Sequence, residues 1–252
     1  MGRQGFGRCP ITEDLGNLEH WSKSSGLGFT EDKCKCQRIT RKSRPVQVPY
    51  ILNESPRSIT PYERDLGVWV TSDLTWFKYV TKGCAKANKL LGFQHITTLD
   101  IGSVRTRRTL YLAVVRPALG YTTQVWCPKT VKLIEKVERI QKRAKGLPFL
   151  YTESYKERLL STNLLLLCYW HEFLDLVFFY EATHELVTIS PQILPSRIKP
   201  VPTTRSTVNP SVMSFCPRKC RTTTFKNSFF VRVLRTCNIL PEKLRLERVT
   251  LK

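Results

Sequence analysis

Acidic residues are scarce in this chain. Twenty Asp and Glu stand against 41 Lys and Arg, which leaves a net charge of +21 on 252 residues. Such a surface draws polyanions before any specific contact forms, so nucleic acid or an anionic membrane is the natural class of partner. Long apolar runs are missing as well. The best candidate, Leu164 to Tyr180, is interrupted by His171, Glu172 and Asp175 well short of the ~20 apolar residues a bilayer span requires. It is expected to be a buried helix, and no membrane partner is expected. There is no Gly-rich phosphate loop. The opening MGRQGFGRCPITED lacks the apolar core of a secretion signal, and Phe6 stands where a myristoylation pattern after Gly2 wants Ser or Thr. Nine cysteines is an odd number, so a disulfide framework is not expected and a nuclear or cytoplasmic setting is, rather than secretion.

Metal and nucleophile patterns are equally thin. Cys34 with Cys36, and Cys216 with Cys220, fit no common zinc-finger spacing, and no second Cys or His pair follows at a recognisable distance. His171 and His184 have no Ser or Cys plus acid arrangement in support, so both are expected to be satisfied core or surface histidines.

What the sequence does contain is 41% hydrophobic residues, enough for one large core or two small ones. Leu15, Leu18 and Trp21 have helical spacing within residues 11 to 29. Cys34 to Thr40, Val46 to Leu52 and Gly67 to Thr71 are short β-forming runs between turn clusters. From residue 73 the periodicity is helical. Trp76, Val80, Cys84, Ala87 and Leu91 make one stripe of the first helix, and Lys78, Lys82, Lys86 and Lys89 make another. A second helix, residues 103 to 119, places Val104, Tyr111, Val115 and Ala118 inward and carries Arg105, Arg107 and Arg108 near its start. A third sets Leu133, Val137, Ile140 and Ala144 against Lys129, Lys132, Lys136, Arg139 and Arg143. Two helices are expected within 153 to 186, the second apolar nearly all round and hence buried on most sides. Residues 187 to 224 are rich in Pro, Thr, Ser and Arg, as in a linker, and the stretch from Thr224 to Leu244 is expected to dock back as a short helix.

A lysine stripe is often only a solvated helix face. In the third helix Glu135 and Glu138 can pair locally with Arg139 and Lys142. Between Lys78 and Lys89 there is no acid at all. Four cations within ~17 Å of helix axis repel one another, and a polyanion is the simplest compensation.

Several segments occur in an order that resembles a known family. They are DLGNLEHW followed by Phe29 to Cys34 (FTEDKC), Arg64 to Trp76 (RDLGVWVTSDLTW), Lys86 to Phe93 (KANKLLGF), Leu110 to Pro128 (LYLAVVRPALGYTTQVWCP), Ile134 to Gly146 (IEKVERIQKRAKG), Tyr155 to Leu159 (YKERL) and Phe225 to Pro241 (FKNSFFVRVLRTCNILP). Together they resemble the C-terminal part of the reverse transcriptase of non-LTR, LINE-like retrotransposons of the jockey type.

The resemblance implies a mainly α fold with a small N-terminal α+β portion and a thumb-like helical bundle. It implies an unstructured start (1–11), the end of the palm with a primer-grip-like hairpin (12–72) at Asp65, Leu66, Gly67 and Val68, thumb helices (73–150), a helical extension (151–189), a linker (190–224) and a docking segment (225–252). Lys78, Lys82, Lys86, Lys89, Arg105, Arg107 and Arg108 would hold the backbone of RNA or an RNA/DNA duplex. Lys33 would match a palm lysine near the departing pyrophosphate. The intact family holds magnesium on an aromatic-x-Asp-Asp hairpin, but no Asp-Asp pair occurs anywhere in this sequence. Two smaller departures are Thr30, where the family usually has Asn, and Cys237, where it has Trp. The expectation is a truncated reverse transcriptase fragment that binds nucleic acid without catalytic residues or a cofactor of its own. The alternatives are a non-enzymatic helical scaffold for protein partners and a non-functional gene-model fragment.

Overall fold

The computed structural model describes residues 10–30, 33–40, 42, 44, 48–100, 103–144, 154–190, 192–194 and 219–240. Of these, 59% are helical and 9% are in strands, so the fold is mainly α with a small sheet portion. Nearly all of the expected start (1–11), most of the expected linker, Cys216 and the chain beyond residue 240 lie outside the described residues. Among the described residues no helix is long and apolar enough to cross a membrane. The chain forms two units, Met1–Lys78 and Tyr79–Lys252.

The first unit opens with helix α1 (Pro10–Ser25), ended by Gly26 in the left-handed region at φ 68°. It packs on the strand Ile51–Leu52, and directly after that strand the Asn53 amide donates to the Glu19 carboxylate. Trp21 and Leu18 nonetheless stay about half exposed. The strands are shorter and more numerous than the β-forming runs suggest. Strand β1 (Cys36–Gln37) pairs parallel with β4 (Ile59–Thr60), and β2 (Ile51–Leu52) pairs antiparallel with β3 (Ser55–Pro56). A tight hairpin joins β5 (Tyr62–Asp65) to β6 (Val68–Thr71) in the register Asp65–Val68 to Tyr62–Thr71. Its turn is Leu66-Gly67, with φ 44° and 87°. Two successive left-handed residues give the twist that a two-residue hairpin needs. Gly67 supplies it freely, while Leu66 adopts it against its Cβ and points outward, 85% exposed.

The second unit is helical. Helix α2 (Phe77–Thr97) buries Tyr79, Val80, Cys84, Ala87 and Gln94. The expected helix 103–119 is one helical run of changing pitch: α3 (Val104–Leu110), a π turn (Tyr111–Val115) and α4 (Arg116–Gly120). The cause is Pro117, which has no N–H and whose ring would strike the Ala113 carbonyl in an α-helix. The wider turn relieves the clash, and the Arg116 amide reaches back to the Tyr111 carbonyl. Then follow α5 (Thr123–Trp126), α6 (Val131–Arg143), α7 (Tyr155–Ser161), α8 (Leu167–Thr183), α9 (Thr223–Lys226) and α10 (Phe229–Ile239). A capping box starts α7, where Ser154 accepts from the Glu157 amide and Glu157 accepts from the Ser154 amide at 2.7 Å.

Helix α8 differs from the sequence expectation. It buries one face, Leu167, His171, Asp175, Phe179 and Ala182, and leaves Tyr169, Phe173 and Val177 exposed. Total hydrophobicity therefore overstated its burial, because two of the five inward positions are polar and three apolar ones face out. Helix α10 docks on α8 through Val233, Leu234 and Cys237, which cluster with Phe179. Cys237 is thus a packed core residue.

Candidate nucleic-acid interface

Helix α2 owes its orientation to contacts spread along its length. Tyr79 packs on Trp126 with ring centroids 5.0 Å apart. The Cys84 thiol lies 3.7 Å from the Lys136 carbonyl, and Lys136 Nζ donates to Thr81 Oγ1 at 2.7 Å. At the far end Gln94 donates to the Arg107 carbonyl at 2.8 Å, and Arg107 Nη2 donates to the Thr98 carbonyl at 3.1 Å. With Val80, Cys84 and Ala87 fixed inward, a rotation of about 100° per residue puts Lys82, Lys86 and Lys89 on the opposite side. All three are exposed, and among the described residues no carboxylate pairs with them. Phe93, 66% exposed, and Ile96 continue the same face.

The other cations expected at this interface have varied surroundings. Lys78 belongs to the first unit, where its ammonium lies over the Tyr62 ring and 4.8 Å from the Trp69 ring. Arg105 is exposed. Arg107 and Arg108 are half-buried and bind carbonyls. Arg108 Nε donates to Thr162 at 2.7 Å, at the C-terminal cap of α7, and Arg107 holds the end of α2. These two side chains tie helix ends together, a use of arginine that charge clustering in the sequence does not distinguish from ligand binding. Lys136 is likewise engaged by Thr81, and Glu138 is not on the surface with Arg139 and Lys142.

Glu138 instead anchors a buried network. Its carboxylate accepts from Tyr155 Oη, from Gln141 Nε2 at 3.2 Å and from the Leu167 amide at 2.8 Å. The last bond places a negative charge on the open N-terminus of α8. Gln141 also accepts from Tyr111 Oη at 2.9 Å and donates to the Leu165 carbonyl at 3.0 Å. Burial pushes the Tyr111 and Tyr155 hydroxyls well above their ordinary pKa, and the Glu138 charge adds to it, so both act as neutral donors. A second cross-link joins α8 to α10. Arg232 donates from Nε to Asp175 at 2.7 Å and from Nη2 at 3.0 Å, and it also reaches the carbonyls of Thr123, Gln124 and Asn227. His171, also buried, meets the Leu119 carbonyl through Nε2 at 2.9 Å. These groups are bonded to one another and to backbone, as in a structural core.

In the first unit Lys33 is exposed, and its neighbours Glu31 and Asp32 lie outside the described residues. The hairpin expected at Asp65, Leu66, Gly67 and Val68 is present as a hairpin. Glu63 pairs with Lys35 at 3.2 Å, and the Arg64 amide, ahead of Lys35, holds its carboxyl below the usual range. Among the described residues no three His, Cys, Asp or Glu side chains stand together as a metal site. No family model matches the chain, and no curated protein and no solved structure gives a significant match.

Proposed function

We infer that this chain binds the sugar-phosphate backbone of RNA or of an RNA/DNA duplex, in the nucleus or cytoplasm, as the thumb-like C-terminal part of a non-LTR retrotransposon reverse transcriptase. The observation that carries the reading is the outer face of α2, where Lys82, Lys86 and Lys89 stand in a row on a helix braced from behind and lack acidic neighbours. Backbone contacts of this kind position a duplex and carry little sequence information, so affinity without sequence preference is expected. Phe93 at the end of the row offers a ring on which an unpaired base can stack. The two-magnesium site of the resembled family is not matched by the residues here, since the sequence has no Asp-Asp pair. Binding rather than polymerisation is therefore the proposed activity.

The test is a fluorescence-anisotropy titration of a labelled RNA/DNA duplex at 0.1 M salt. Replacing Lys82, Lys86 and Lys89 by Gln keeps helix propensity and removes three charges. The expected result is tenfold or greater weakening. Equal affinity of the variant would remove the reading. A second reading, a scaffold for protein partners, draws on the exposed row Tyr169, Phe173 and Val177 on α8. It predicts no nucleic-acid affinity beyond that of any protein of equal charge.

A further inference from the structure

Two arginines of the helical unit are buried to the same extent, 8% exposed each, and their surroundings are opposite. Arg232 has a carboxylate and three carbonyls on its guanidinium. Arg116, at the end of the π turn, has none among the described residues. Among the described residues nothing accepts a hydrogen bond from it, and its Nε is sealed from water without a partner. Its contact is with a ring, the Trp170 indole, 4.4 Å from the guanidinium carbon. That indole is itself wedged against Gly120, so closely that a Cβ there would collide with it.

The local charge is not balanced either. Glu138 acts on Arg116 through space, but its carboxylate is already bonded to Tyr155, Gln141 and the Leu167 amide. Arg108 acts on it as a second positive charge. A guanidinium cannot escape by losing its proton, because it stays charged even when burial pulls its pKa down. A guanidinium fork 4.4 Å from an indole, with its Nε buried without an acceptor among the described residues and another arginine acting on its charge, matches the geometry that recognises phosphate.

We propose that Arg116, with Arg108 beside it, is a binding site for a phosphate-type oxyanion, supplied by a nucleic-acid phosphodiester or by free inorganic phosphate. The site does not depend on the lysine face of α2, and its test separates the two. The full chain is melted in a phosphate-free buffer, then with inorganic phosphate, with sodium chloride at equal ionic strength as reference. A ligand that binds only the folded state raises the melting temperature, by roughly 3–6 °C at ten times its dissociation constant for a chain of this size. The wild type is expected to show that rise and Arg116→Met to show none beyond the salt reference. Arg116→Lys keeps the charge but not the fork. It is expected to lose most of the rise, and it carries the comparison alone if the Met variant does not fold.

RNA then identifies the source. Tenfold weaker RNA binding by Arg116→Met, with phosphate competing, assigns the site to a phosphodiester, while unchanged RNA affinity with the phosphate rise intact assigns it to the free ion. A phosphate rise in a wild type that binds no RNA would uphold this site while removing the function proposed above. Equal responses of wild type and variants to phosphate would overturn the proposal and leave Arg116 as packing for Trp170.

Discussion

Glu138 and Asp175 sit at positions where helical periodicity alone would place an apolar residue, and each neutralises something a neighbour leaves open. Glu138 receives the Tyr155 hydroxyl and the N-terminus of α8, so Glu138→Ala leaves two buried donors unpaired and is expected to cost about 2–4 kcal/mol in urea unfolding. Asp175→Ala strands the Arg232 guanidinium and is expected to cost about 3–5 kcal/mol. A midpoint change within error in either variant would contradict the network. His171 supplies a pH signature. Burial, ahead of the positive charges of Lys129, Arg116 and Arg232, pushes its pKa down to about 4, against 6.5 for a free imidazole, although the Leu119 carbonyl pulls the other way. Because the folded state resists the proton that the unfolded state accepts, this stability is complete above pH 6.5 and is lost as pH falls from 6.5 to about 4. The loss amounts to about 3 kcal/mol. Stability measured across that window should fall less steeply in His171→Gln than in the wild type, and parallel curves would show that His171 is not the group responsible.

At the scale of elements, the helices were legible because their stripes are long. Val80, Cys84 and Ala87 of α2, and Val137 and Ile140 of α6 with Ala144 at its C-terminal cap, are buried where a 3.6-residue period puts them. The π turn was hidden because periodicity over seventeen residues blurs a single wide turn, although Pro117 inside the run was a usable signal. Strands β1 and β2 fall inside two of the expected β-forming runs, whereas their partners β4 and β3 were hidden, since pairings of two residues leave no alternation to detect. The hairpin at Leu66-Gly67 makes a specific prediction. Leu66→Asn suits a left-handed turn position better than leucine, and it should slow hydrogen exchange of the β5 and β6 amides. Gly67→Ala should cost about 1–2 kcal/mol and speed that exchange, and the opposite order would show that the turn is not left-handed at both positions. Helix α4 is held just as specifically at Gly120, where the Trp170 ring occupies the place of a side chain.

For the whole molecule, composition gives the net charge and the class of partner that such a charge suggests, and says much less about which cations stay exposed. Of the seven basic residues expected at the interface, Arg107 and Arg108 hold helix ends and Lys78 lies over Tyr62 and Trp69, while Lys82, Lys86, Lys89 and Arg105 are exposed. A sequence gives sign and spacing, but a carbonyl acceptor arrives from a distant helix and only folding shows it. Arg116 shows the complementary case: one arginine in an apolar stretch looks like any helix residue until its Nε proves to be buried without an acceptor among the described residues.

The outer face of α2 is proposed to follow a phosphate backbone. Each phosphate neutralised releases condensed counterions, so the plot of log affinity against log salt for an RNA/DNA duplex has a slope set by the number of contacts. With Lys82, Lys86 and Lys89 changed to Gln the slope should shrink by about 2–3 units, at roughly 0.9 per contact on duplex. Lys132→Gln with Arg139→Gln on α6, where Glu135 shares the surface, should shrink it by less than one unit. An α2 variant with affinity and slope both unchanged would mean that these lysines are only a solvated face and that the claim is wrong.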